Sequence, residues 1–233
     1  MTNTGMYDRF YKDQLYPIQD KVLALIGNMP SPFYLTGGTA LSRFLLHHRY
    51  SDDLDFFVNR SPRFHEDVDK VYETLIGFFP FSKITVRQDS YVRIMITDQE
   101  TSLKLEFVND VGHRVGEVSR VNAGLQIDSW ENILSNKVTA LARLAGKDYV
   151  DVLFLAFKYP FNWEHVMDQA KLKDAWINEI NVSQLLSAYS PGLLESVRFP
   201  SSFLPERIQP RFFEILARDS LHGLDNSLFG QAV

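Results

Sequence analysis

The chain has 233 residues, 45% hydrophobic and 13% aromatic, with no cysteine and a formal net charge of −5. That length supports one large domain or two small ones, and the composition excludes a disordered chain, a disulfide framework and a thiolate metal site. The acidic balance argues against coating nucleic acid by bulk charge, while leaving room for a local basic cleft.

The N-terminal "MTNTGMYDRFYKDQLYPIQD" lacks a leader-type apolar core, and no run reaches the length of a membrane span. The absence of cysteine fits a reducing compartment, so a cytoplasmic protein is expected, away from membranes. Residues 14–28 carry Leu15, Ile18, Val22, Leu25 and Ile26 at helical spacing, with Gly27 and Asn28 as stop signals. A short apolar strand follows at 33–35. Thr36-Gly37-Gly38 then turns the chain into a helix over 39–47 whose buried stripe is Ala40, Leu41, Phe44 and Leu45. A second strand is predicted over 53–58 and a helix over 64–78. The period then changes to two: segments between 83 and 108, broken by "QDS" and "DQETS", predict three strands joined by hairpins. In the last of them Leu103, Leu105 and Phe107 share one face and Lys104, Glu106 and Val108 the other. Residues 111–127 are expected to be irregular, with a short strand near 124–127.

From 129 onward only helical patterns remain. One runs to a stop at Gly146, "KDYVDVLFLAFKY" forms a buried second, and others are expected at 162–170, 172–178, 182–189 and 210–218. Tyr149, Phe154 and Phe157 read as core, and Trp130, Trp163 and Trp176 as packing between helices. The predicted class is α+β: a mixed sheet with flanking helices over 1–128, followed by a helical domain over 129–233.

The chemistry lies in "TGGTALSRFLLHHRYSDDLDFFV". Asp53 and Asp55 are alternate residues of a strand, so both carboxylates leave one face while Leu54 enters the core. Parallel carboxylates a few ångströms apart repel unless a cation lies between them, and oxygen-only donors favour Mg²⁺ or Mn²⁺. Glu106 becomes a third carboxylate if its strand neighbours 53–58, and three carboxylates suit two metal ions flanking a phosphoryl group. Beside Lys104 it also reads as a surface ion pair worth little. Gly37-Gly38-Thr39 stands between a strand and a helix, where backbone N–H groups favour an anion and Thr39 and Ser42 can add hydroxyls. The Walker pattern is absent. Arg43, His47, His48 and Arg49 cluster before the acids, with the two histidines read as non-ligands. Lys137 also reads as a solvated surface lysine. Asp148 and Asp151 also read as acids favouring a helix dipole, Asp151 more than Asp148.

"GGTALS" followed by "RYSDDLDFF" resembles the signature of nucleotidyltransferases with a polymerase-beta-like fold, and more narrowly the AbiEii/AbiGii toxin family. "NKVTALARLAGKDYVDVLFL" is similar to that family's downstream motifs. The resemblance implies a nucleotidyltransferase-type sheet domain and Mg²⁺ or Mn²⁺ held by Asp53, Asp55 and Glu106. It implies phosphate contacts at Gly37, Gly38 and Ser51, a triphosphate contact at Lys137 and an active-site acid at Asp148. Thr39, Ser42, Arg49 and Lys147 complete the expected nucleotide-binding set; Lys147 stands where arginine is frequent, losing the bidentate fork. The function so implied is a toxin of a toxin–antitoxin pair that moves a nucleoside monophosphate from an NTP to RNA, particularly a tRNA end, with a cognate antitoxin as partner. A small-molecule nucleotidyltransferase of the aminoglycoside-modifying kind and a non-catalytic nucleotide-binding module are the alternatives. Two repelling acids argue against the module.

Overall fold

The structure is a computed structural model that describes residues 4–121 and 124–232. The chain divides into two compact units: the described residues of Met1–Ala40 with Ser51–Ser129, and Leu41–Tyr50 with the described residues of Trp130–Val233. Segment 41–50, on the N-terminal side of the boundary expected from sequence, therefore packs with the helical residues that follow 129.

In the first unit, α1 (Thr4–Phe10), a π-helical stretch (Tyr11–Leu15) and α2 (Tyr16–Gly27) follow without a break. Leu15, Ile18, Val22 and Ile26 are buried, as their helical spacing predicts. β1 (Tyr34–Thr36) runs into α3 (Gly37–Ala40) at the glycine pair, and β2 (Leu54–Asn59) and α4 (Phe64–Phe78) come next. The period-two region gives β3 (Lys83–Gln88), β4 (Tyr91–Asp98) and β5 (Thr101–Asp110), and β6 (Ser119–Arg120) and β7 (Gln126–Ile127) complete the sheet. β6 lies in the stretch expected to be irregular, part of which, residues 122 and 123, falls outside the described residues.

Among the described residues the strands form one seven-stranded mixed sheet in the order β3-β4-β5-β2-β1-β7-β6. The hairpin strands pair antiparallel, β5 runs parallel to β2, β2 antiparallel to β1, and β1 parallel to β7. Burial alternates along β2, β4 and β5, so Leu54, Phe56, Val92, Ile94, Ile96, Leu103, Leu105 and Phe107 lie in the core. The opposite face carries Asp55, Arg93, Lys104 and Glu106, all half-buried.

The second unit opens with a π-helical stretch, Leu41–Leu45, where the predicted helix ends early; His47 has a positive φ of 56°. It continues with α5 (Trp130–Ala140), α6 (Gly146–Lys158), α7 (Trp163–Lys171), α8 (Glu179–Ser187) and α9 (Pro210–His222). α5 packs on α6 and α7, and α8 on α9. Trp163 is fully buried and Trp130 stacks on Tyr159 with ring centroids 4.4 Å apart. The helix expected at 172–178 is not formed, and Trp176 is 87% exposed rather than packed between helices. Among the described residues, no helix is long and apolar enough to cross a membrane.

Candidate active site

Strand register places the acids. Asp55 lies beside Glu106 in the parallel β2–β5 pair and beside Thr36 in the antiparallel β1–β2 pair. Asp53 immediately precedes β2 and shares the half-exposed face with Asp55. The three carboxylates named by the sequence are therefore carried by neighbouring strands of one unit.

A lysine stands among them. Lys104 Nζ is 2.9 Å from Asp53 Oδ2 and 3.2 Å from Glu106 Oε1. The same Oε1 accepts hydrogen bonds from Tyr91 Oη at 2.5 Å and from Arg93 Nη2 at 2.9 Å. Burial alone would raise the Glu106 carboxyl, but Tyr91, Lys104 and Arg93 hold it below its ordinary value. Burial would likewise lower the Lys104 ammonium, yet Asp53 and Glu106 raise it, so it stays charged. Tyr91 and Arg93 were not read from the sequence; the signal was their alternation in β4 on the face that Glu106 occupies in β5.

The glycine turn abuts this face. Gly37 has φ +65°, and a Cβ built on it would lie 2.8 Å from Asp55 Oδ2. A side chain there is disfavoured twice, by backbone conformation and by the carboxylate. The Thr39 hydroxyl donates to the Asp53 carbonyl and lies 2.9 Å from Ser51 Oγ, so Thr39 and Ser51 fasten the glycine turn to the acidic loop. Buried Gln19 donates from Nε2 to the carbonyls of Ser51 and Asp52, and Tyr11 Oη donates to Asp52 at 2.5 Å. These supports from the N-terminal helices had no spacing signal in the sequence.

The other expected residues lie in the second unit, where His48, Arg49, Lys137, Asp148 and Asp151 form a buried cluster. Asp151 is fully buried and accepts four contacts: Arg49 Nε and His48 Nε2 on Oδ1 at 2.7 and 2.8 Å, Arg49 Nη2 and Lys137 Nζ on Oδ2 at 2.7 Å each. Burial alone would raise its carboxyl; the Arg49 and Lys137 charges overcome that and hold it well below the ordinary range. Burial pushes the His48 imidazole down despite Asp151, which leaves it neutral near pH 7, donating from Nε2. Lys137 is pulled down by burial but raised on balance by Asp151 and Asp148, and its Nζ lies 2.7 Å from Asp148 Oδ1. Asp148 Oδ2 is buried with no hydrogen-bond partner among the described residues.

Lys137 is thus a buried ion-pair partner, not a solvated lysine, and Asp151 anchors a cation cluster instead of simply favouring a helix dipole. Arg49 is held by Asp151 in a bidentate fork, Lys147 is exposed, and Ser42 is buried in the π-helical stretch.

Carboxylate oxygens on alternate residues of one strand suit a hard divalent cation, and Asp53 and Asp55 fit that requirement by chemistry and by shared face. No group of three or more His, Cys, Asp or Glu among the described residues is gathered as a ready metal cage. The Lys104 ammonium contacts both Asp53 and Glu106.

A mixed sheet with a strand–Gly-Gly–helix turn against paired strand carboxylates is the architecture of a nucleotidyltransferase. The fold is similar to that of two solved Helicobacter pylori proteins. One is described as a candidate nucleotidyltransferase (TM-score 0.59, 20% identity, covering 91% of this chain and 96% of that one). The other is JHP933 (TM-score 0.57, 21% identity, 90% and 93% covered). The sequence profile of the AbiEii nucleotidyl transferase toxins of type IV toxin–antitoxin systems matches residues 26–227, and the chain belongs to that family. No curated protein sequence matches it.

Proposed function

We propose that this transferase moves a nucleoside monophosphate from an NTP to RNA, with the end of tRNA as acceptor, using Mg²⁺ or Mn²⁺ held at Asp53 and Asp55. The observation that carries the reading is the placement of Asp53 and Asp55 on one sheet face, with the Gly37 backbone against Asp55 and Glu106 in register beside it. In the reaction an acceptor hydroxyl oxygen bonds to the α-phosphorus and releases its proton to solvent, the bond from that phosphorus to the bridging oxygen breaks, and pyrophosphate leaves with those electrons. A bound divalent cation supplies charge neutralisation on the triphosphate and acidifies the attacking hydroxyl.

The chain's own residues do the rest. Gly37 and Gly38 admit phosphate oxygens close to the backbone, and Thr39 and Ser51 hold that turn to the Asp53 loop. The family's downstream motif, matched by Lys137 and Asp148, supports reading Lys137 as the triphosphate contact and Asp148 as an active-site acid. As a type IV toxin it acts opposite a cognate antitoxin, and catalysis is what halts growth.

The test is incubation of the protein with each labelled NTP, Mg²⁺ and total RNA. Label is expected on tRNA, lengthened on a denaturing gel, and induced expression is expected to slow bacterial growth. Asp55→Asn at equal soluble level should do neither. Label on aminoglycosides with none on RNA would replace the RNA reading by a small-molecule one.

A further inference from the structure

We propose that Gln19 is a positioning residue of the Asp53/Asp55 site, holding the backbone that presents Asp53, with Tyr11 beside it in the same role. This rests on the metal reading above and adds the support that reading requires.

The need arises from where Asp53 stands. Asp55 lies within β2, where pairing with Thr36 of β1 and Glu106 of β5 fixes its backbone on both sides. Asp53 precedes the strand and its ladder, so its carboxylate goes where the segment 51–53 puts it. Connecting segments are more mobile than paired strands, and a metal ligand has to be held within about 0.5 Å of its working place.

The N-terminal helices supply that restraint. Gln19 is fully buried in α2 among Ile18, Val22, Leu23 and Ile26. A buried amide is costly unless its donors are met, and both Nε2 hydrogens are committed, to the Ser51 carbonyl at 3.1 Å and the Asp52 carbonyl at 3.0 Å. These two peptide units lead directly into Asp53. Nearby, Tyr11 Oη donates to Asp52 Oδ1 at 2.5 Å, and the Ser51 N–H donates to Tyr16 Oη at 3.4 Å. From the glycine turn the Thr39 hydroxyl donates to the Asp53 carbonyl, so the segment is tied at each of its three residues. A methionine would fill the place of Gln19 without polar cost, but it would leave both carbonyls without this donor. Tyr11, Tyr16 and Gln19 precede residue 26, where the likeness to the AbiEii toxins begins, so that likeness assigns them no role.

The test measures Mn²⁺ affinity by electron paramagnetic resonance with a non-hydrolysable NTP analogue present, and kcat for transfer alongside. Gln19→Met, which keeps the length and removes both donors, is expected to weaken Mn²⁺ binding about tenfold and to lower kcat by at least as much. Tyr11→Phe should shift Mn²⁺ affinity in the same direction by a smaller factor, and it serves alone if thermal melting shows Gln19→Met unfolded. Ile26→Ala, a cavity two turns further along the same buried helix, is the control. It should lower the melting temperature at least as much yet leave Mn²⁺ affinity and kcat unchanged. Unchanged Mn²⁺ affinity in the folded variants, or an equal loss in Ile26→Ala, would overturn the positioning role while leaving the metal reading intact. No Mn²⁺ bound by the wild type would overturn the metal reading and the inference together.

Discussion

Replacing Asp151 by asparagine tests the buried cluster most directly. The carboxylate is the common acceptor for Arg49, His48 and Lys137, and all four side chains are at most 10% exposed. Asparagine keeps the volume but removes the charge, so Lys137 keeps only Asp148 of its two carboxylates and Arg49 loses its bidentate fork. Breaking a buried pair from one side costs about 3–5 kcal/mol. For a protein this long each kcal/mol moves the melting temperature by roughly 2–4 °C, so a loss on the order of 10 °C is expected. By contrast, the partly exposed Lys104 contacts should each contribute under about 1 kcal/mol. Urea unfolding followed by circular dichroism reads the change, with Arg49→Met/Asp151→Leu as the partner experiment. If desolvation is the dominant cost, that apolar pair should recover most of the stability, since both charges leave together. A loss below about 1 kcal/mol in Asp151→Asn would refute the view that these charges are buried and mutually dependent.

Asp53→Asn and Asp55→Asn should each abolish transfer in the labelled-NTP assay while shifting stability by no more than about 1 kcal/mol, because both side chains are half-exposed. Gly37→Ala should lose about 1–2 kcal/mol from its positive φ and, by pushing Asp55 aside, lower the transfer rate on the order of 10²-fold, measured at saturating NTP. Asp148→Asn should reduce transfer with the melting temperature falling less than in Asp151→Asn, since only Lys137 depends on it; equal losses of stability would assign it a purely structural role. The pH dependence of stability follows from two depressed groups. His48 binds its proton less readily folded than unfolded, so stability is lost as pH falls below its ordinary value of 6.5, and Asp151 adds a further loss below the carboxylate range. Melting curves from pH 8 to pH 4 should show a fall that begins near pH 6.5, and His48→Gln should remove that first part.

What could be read from the chain depended on whether the signal was local. The alternation through β3–β5 set the strands, and the two-residue spacing of Asp53 and Asp55 set their shared face, because a pleat fixes side-chain direction without reference to the rest of the fold. The helix expected at 172–178 shows the limit. Its residues tolerate a helix, but Leu172 and Trp176 are 62% and 87% exposed, so no packed face was available to stabilise one. Asp151 shows a subtler limit. Its i, i+3 spacing from Asp148 near a helix start suits a macrodipole, and its partners Arg49 and His48 lie more than a hundred residues away in sequence. The reasoning that exposed Asp53 applied here too. Tyr149, Val150, Val152, Leu153, Leu155 and Ala156 surround Asp151 and are fully buried, so α6 is apolar on every side and any acid in it must find cations. An acid in an all-round apolar helix calls for distant basic partners, and these are His48 and Arg49, the second of which the resemblance had assigned to the nucleotide. The two acidic motifs thus obey one rule with different answers. On the half-buried sheet face Asp53 and Glu106 are met by one lysine, and in the closed helical core Asp151 is met by arginine, lysine and histidine together.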